Sequence, residues 1–253
     1  MKLLLLIAAV CLCPVLLRAQ ATDVAPPLPP GPLLAETDFA HWIVTTTPGN
    51  NTASGNGAPA PANAPAEPPT IIEITRTGDT LHMVTTDARG KSDRWCVGKI
   101  QFIQEPGWDV PIWLDHDNAH GSARYISFGK ALFPELSWIS ASNYTGIKLM
   151  GGRKCLVFTG KVMTLPPAGI DQLKQAAVAA GKPFDVKAYE ADAVAYIDAE
   201  TRFPVSYVKP YETSTYQILP APTAKLTLPD KLQKMNAQIN KRQKELQYKP
   251  AQA

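Results

Sequence analysis

The sequence predicts a mainly β (α+β) protein: a curved antiparallel sheet or half-barrel with one intervening helix and a C-terminal helix. Two observations carry this. From Thr70 onward, short runs of β-branched and aromatic residues alternate with Gly, Asn, Asp and Pro turns. Only two stretches show helical rather than two-residue periodicity, 168–181 and 229–247. Strands that follow one another with so little between them favour a meander over a βαβ fold.

The N-terminus reads as an export signal. Lys2 supplies a positive start, Leu3 to Leu17 form an apolar run too short to span a bilayer, and Ala19-Gln20-Ala21 offers small residues for cleavage. Residues 1–21 are therefore expected to be removed, and the protein to be exported to the periplasm or cell envelope of a bacterium. Their loss takes Lys2 and Arg18 and no acidic residue, so the formal charge falls from +3 to +1. A near-neutral chain without a sustained basic tract outside its tail lacks the footprint of a nucleic-acid partner. No later stretch has the length of a transmembrane helix.

Residues 22–32 contain Pro26, Pro27, Pro29, Pro30 and Pro32 and read as an extended leader. Phe39, Trp42, Ile43 and Val44 are too apolar for a linker and open a single β-rich domain at 33–228. Residues 48–69 return to Gly, Asn, Pro and Ala, with too little apolar surface to offset ordering, and read as a disordered insertion.

Ile71–Thr75 and Leu81–Thr85 flank Gly78-Asp79 as a hairpin, and Ala88-Arg89-Gly90 makes the next turn. Further strands are expected at 95–104, 110–114, 124–128, 138–140, 146–150, 155–158, 186–189, 194–197, 205–208 and 215–219. Between them Ile170, Leu173, Ala177 and Ala180 share a helical face that Gly181 and Pro183 end. In the tail, Leu232, Met235, Ile239 and Leu246 form a narrow apolar stripe. Lys231, Lys234, Lys241, Arg242 and Lys244 outweigh Asp230 and Glu245 there, so residues 229–253 read as a basic helix and tail. It is either a solvated surface helix or a docking element for a partner or an anionic membrane.

Cys11 and Cys13 leave with the signal, and Cys96 and Cys155 remain. In an exported chain the expectation is one disulfide between them, with a stabilising effect of roughly 4 kcal/mol on the chain-entropy account; two separately buried thiols are the alternative. Asp115-His116-Asp117-Asn118-Ala119-His120 gathers two imidazoles and two carboxylates. His116 and His120 could ligate zinc if a turn converged them. Polar turn chemistry accounts for the same residues, and no distant Cys/His pair completes a site, so neither a metal nor any other cofactor is expected. His41 and His82 are isolated, and Glu73, Glu135, Glu190 and Glu200 are scattered. With no nucleophile elbow and no phosphate loop, the chain reads as no enzyme. The five tryptophans, Trp42, Trp95, Trp108, Trp113 and Trp138, are expected in the core or around an apolar cavity.

The segment Ala195-Tyr196-Ile197-Asp198-Ala199-Glu200-Thr201-Arg202-Phe203-Pro204-Val205 joins two strands through a polar turn. It resembles the W-I-D-x-x-T-x-L-P-V hairpin of bacterial lipoprotein-carrier-like half-barrels of the LolA and LolB type. Tyr144 to Phe158, with Gly146, Gly152 and Cys155, is similar to the strand pair that precedes it there. The resemblance implies a helix lying in the concave face, residues 168–181 here, as a gate over an apolar cavity. The expected ligand is a lipid or a lipoprotein acyl chain; it assigns no binding residue. The function expected is an exported non-catalytic carrier. The alternative is an envelope structural module whose C-terminal helix engages an envelope protein.

Overall fold

A computed structural model describes residues 25–49, 67–115, 132–165 and 167–247. The expected signal peptide, most of the 48–69 insertion, the 124–128 strand and both His116 and His120 lie outside the described residues.

Eleven strands form one antiparallel sheet. In chain order they are β1 (Phe39–Pro48), β2 (Thr70–Thr77), β3 (Thr80–Asp87), β4 (Gly90–Val97), β5 (Ile100–Gln104), β6 (Ile112–Asp115), β7 (Tyr144–Met150), β8 (Arg153–Met163), β9 (Glu190–Asp198), β10 (Pro204–Lys209) and β11 (Glu212–Leu219). The order across the sheet is β6-β5-β4-β3-β2-β1-β11-β10-β9-β8-β7, so β6 and β7 are its two edges and the sheet is curved but unclosed. Every neighbouring pair except β1–β11 is also consecutive in the chain. Gly151 and Gly152, both at positive φ, close β7 onto β8 as a two-residue turn in the twist that right-handed strands need.

Strand alternation divides the sheet into two faces. On the inner face, Ala40, Trp42 and Val44 meet Tyr207, Tyr216, Ala193, Ala195, Ile197, Leu156 and Phe158 in the main core. Leu132, Phe133 and Leu136 fill that face from a segment with no strand pairing, braced by the short 3-10 helix Pro134–Leu136. Beyond it, Trp138 lies against Gly160 of β8, where an added Cβ would come within 2.8 Å of the indole. The expected strand at 138–140 is thus part of this inserted segment instead. The outer face carries a second cluster. Ile100 and Phe102 are covered there by Leu228, Leu232 and Ile239, the last two from helix α2 (Asp230–Gln247).

Several expectations are corrected. The single strand at 95–104 is two, because Gly98 at positive φ turns the chain between Val97 and Ile100. Residues 186–189 are a 3-10 helix, capped by Asp185 accepting from the Lys187 N–H, and β9 begins after them. Helix α1 (Pro167–Ala179) does not lie in the concave face. Leu173 and Val178 are exposed and no α1 residue belongs to either core cluster, so its few apolar residues give it nothing to bury with. Cys96 and Cys155 are free buried thiols. They sit on β4 and β8 with six strands between them, and strand alternation points them to opposite faces. A disulfide needs Cα atoms within about 7 Å.

The proline-rich stretch is held against the sheet. Leu28, Leu33 and Leu34 pack on the main core, and Arg202 Nη2 donates to the Pro30 carbonyl at 2.9 Å. Arg202 itself is buried at a φ of 63° in the β9–β10 turn, where the Asp198 carboxylate accepts from the N–H groups of Glu200 and Thr201.

Candidate functional site

The inner face is not filled throughout. Between β1, β2, β3, β10 and β11 and the 132–136 segment lies a cavity of about 310 Å³, at the lower end of the range for small-molecule sites. Strand register sets its wall. Trp42 opposes Ile74, Ile74 opposes Met83, and Val44 opposes Ile72 on one side and Tyr216 on the other. Leu81, Leu132 and Pro134 complete an apolar middle. Polar groups stand at the two ends along the strands. Arg76 and Asp79 mark one; Thr46, Ser214, Lys209, Glu212 and Glu135 mark the other.

Glu135 reaches this wall because its neighbours are anchored. Phe133 and Leu136 are fully buried, and Phe133 makes edge-to-face contacts with Trp42 at 5.4 Å, Tyr216 at 5.8 Å and Phe203 at 6.1 Å. Flanked by these anchors, residue 135 is exposed and also contributes to the cavity lining. The Tyr216 hydroxyl donates to Glu135 Oε1 at 2.8 Å. Burial pushes the Glu135 carboxyl up from the usual glutamate value, opposed by a backbone hydrogen bond, by Tyr216 and by the charge of Lys209. Burial also raises both phenols, Tyr207 to about 12 with Glu212 adding to it, and Tyr216 further, helped by Glu135. Both tyrosines are therefore neutral donors at ordinary pH. Lys209 pairs with Glu212 and lies over the Tyr207 ring at 5.4 Å.

His41 and His82 lie away from this cavity. His41 pairs with Glu73 at 2.9 Å, and His82 pairs with Asp93 at 3.2 Å while stacking on Trp95. Among the described residues, no three His, Cys, Asp or Glu side chains come together as a metal-holding group. Burial raises the Cys96 and Cys155 thiols, which leaves them protonated and poor nucleophiles. Of the tryptophans, Trp42 lines the cavity, Trp138 packs on the main core and Trp95 on the second cluster. Trp108 and Trp113 are exposed, against expectation, because they belong to the β5–β6 hairpin at the edge of the sheet.

The cavity's central residues, Trp42, Ile72, Ile74, Tyr207 and Tyr216, come from four strands distant in sequence, which no local motif connects. The 132–136 segment carried one readable signal: three large apolar residues around a Pro-Glu step, in a stretch otherwise rich in turn residues.

With this geometry in view, the chain is similar to two solved structures. LprF from Mycobacterium bovis matches at 9% identity and a TM-score of 0.37, over 76% of this chain and 89% of that one. The LolA-superfamily protein NE2245 from Nitrosomonas europaea matches at 10% identity and a TM-score of 0.30, over 79% and 91%. The likeness is one of fold. No family model and no curated protein matches the sequence.

Proposed function

We propose that the chain is an exported, non-catalytic binding protein that shelters an apolar or acyl-bearing ligand in the cavity between β1–β3, β10–β11 and the 132–136 segment, in the periplasm or cell envelope. The cavity itself carries this reading: a predominantly apolar wall with a few polar groups confined to its ends is the usual form of a small-molecule site. Its hydroxyl and acid groups are already engaged with one another. Ser214 Oγ bonds Thr46 Oγ1 at 3.0 Å, and Tyr216 bonds Glu135. This pattern suits orientation of a ligand better than attack on one.

The alternative, an envelope module acting through α2, loses its apolar argument, since Leu232 and Ile239 are spent on the protein's own sheet. Only the basic outward side of the helix remains to support it.

Native mass spectrometry with lipid extraction, on protein purified from its own envelope without detergent, tests the proposal. A stoichiometric acyl-bearing adduct is the expected result. Ile74→Phe, which puts bulk into the middle of the cavity, should then lower adduct occupancy while leaving the protein folded. An adduct that survives this substitution at full occupancy would place the ligand elsewhere.

A further inference from the structure

Resting on the reading of the cavity as a ligand site, the geometry points to a ligand class: an amphiphile whose head is a cationic ammonium group seated against Glu135, with its apolar tail along Ile72, Ile74 and Met83.

The charges around the cavity lead there. Two cations, Arg76 and Lys209, and three carboxyls, Asp79, Glu135 and Glu212, line it. Lys209 and Glu212 neutralise each other in a direct ion pair. Arg76 stands at the opposite end beside Asp79; its Nε donates to the Gly78 carbonyl at 3.0 Å, and a neighbouring hollow surrounds it with Glu36 and Asp38. It shares that end of the cavity with acidic residues. Among the described residues, Glu135 has no direct ion pair; its side chain accepts from the Tyr216 hydroxyl, and Lys209 acts on it only through charge at a distance. Glu135 is exposed overall but its side chain lines the cavity, where three carboxyls face two cations, and a cation bound beside it balances that excess.

The walls beside Glu135 suit a cation. Tyr216, Tyr207 and Trp42 present aromatic rings to the same cavity, and ring faces attract ammonium groups, the more so when both are desolvated. The protein already makes this contact there, since the Lys209 ammonium lies over the Tyr207 ring. An anionic head would instead meet Glu135 and Glu212 together. A neutral head would bury its dipole without meeting the unpaired charge.

The pH dependence follows with a definite sign. The groups facing Glu135 are Tyr216 and Glu212 from β11 and Tyr207 and Lys209 from β10, with Arg76 and Asp79 at the far end. The tyrosines stay neutral through the carboxylate range. The ionised form of Glu135 attracts the head, so affinity for an ammonium amphiphile is full above the carboxyl's raised titration and falls as pH drops through it.

Calorimetric titration below micellar concentration, with dodecyltrimethylammonium, dodecyl maltoside and dodecyl sulfate, separates tail from head. The expected result is that the ammonium probe binds tighter than the sulfate by about tenfold or more, with the maltoside between. That preference should shrink toward unity in Glu135→Gln and, in the unmutated protein, on acidification. The acidification arm stands even if the variant folds poorly. Equal binding of all three probes, a sulfate preference, or an ammonium preference unchanged by both Glu135→Gln and acid would overturn the head assignment while leaving the apolar cavity intact. If none of the three binds, the cavity reading falls, and this inference with it.

Discussion

The 132–136 segment and helix α2 each cover one face of the same sheet, yet the first leaves the larger hollow, about 310 Å³ against about 130 Å³ at the start of α2. Helix α2 presents Leu232 and Ile239 along one side and lays them directly on Ile100 and Phe102, a regular surface against a regular surface. The inner segment has no repeating geometry. It reaches the sheet through Leu132, Phe133 and Leu136, and between those anchors and β1–β3 it stands off far enough to enclose a cavity. An apolar face can thus be covered in two ways: a helix closes over most of it, whereas an irregular segment pinned at a few points roofs it over.

The largest expected effect is at the strongest of those pins. Phe133→Ala removes a fully buried ring that touches three aromatic neighbours and should cost about 3–5 kcal/mol in urea unfolding. Because the same ring supports the cavity roof, ligand binding should fall too. Ile239→Ala, from the helix-covered side, should cost about 2 kcal/mol and leave ligand affinity unchanged. Equal losses of binding in the two variants would break the distinction between the two covers. Made together, the two substitutions should add to within about 0.5 kcal/mol, since they sit in separate clusters on opposite faces.

A smaller effect concerns pH. The Glu135 carboxyl titrates higher folded than unfolded, so its contribution to stability is fully present below the ordinary value of 4.5 and is lost as pH rises through the raised one. Unfolding midpoints of the unmutated protein and Glu135→Gln, followed from acid upward, should therefore draw apart across that window, with the unmutated protein losing ground. Parallel curves would mean that the cavity does not desolvate the Glu135 carboxyl. The smallest expected effect is none at all: with Cys96 and Cys155 free and six strands apart, reductant should not move the unfolding midpoint, and both thiols should react with a disulfide reagent only after denaturation.

The strands were legible wherever alternation was sharp and turns were short. The Gly78 hairpin, the Asp198 turn and the return strand at 212–219 announce themselves, since each depends on residues within about ten positions of one another. Helix α2 was readable as a helix, but its partner surface was not, because Ile100 and Phe102 gain their meaning only once β5 is paired and facing outward. Helix α1 misled for the opposite reason: its periodicity is real, but the wall it was expected to cover is occupied by residues 132–136. The cavity itself was out of reach. Glu135 reads as one scattered carboxyl among several until β11 brings Tyr216 beside it from 81 positions away.

The sheet's two free margins have a mechanical consequence. A closed barrel has its diameter fixed by strand number and stagger, so its interior cannot widen without tearing a ladder of hydrogen bonds. Here β6 and β7 stand at opposite margins of an open sheet. A slight increase of twist at each of the ten ladders between them can splay or tighten the whole trough with every ladder intact, as a bow changes its arc without breaking. Under the proposed function, guests of different girth would be met by bending of the wall.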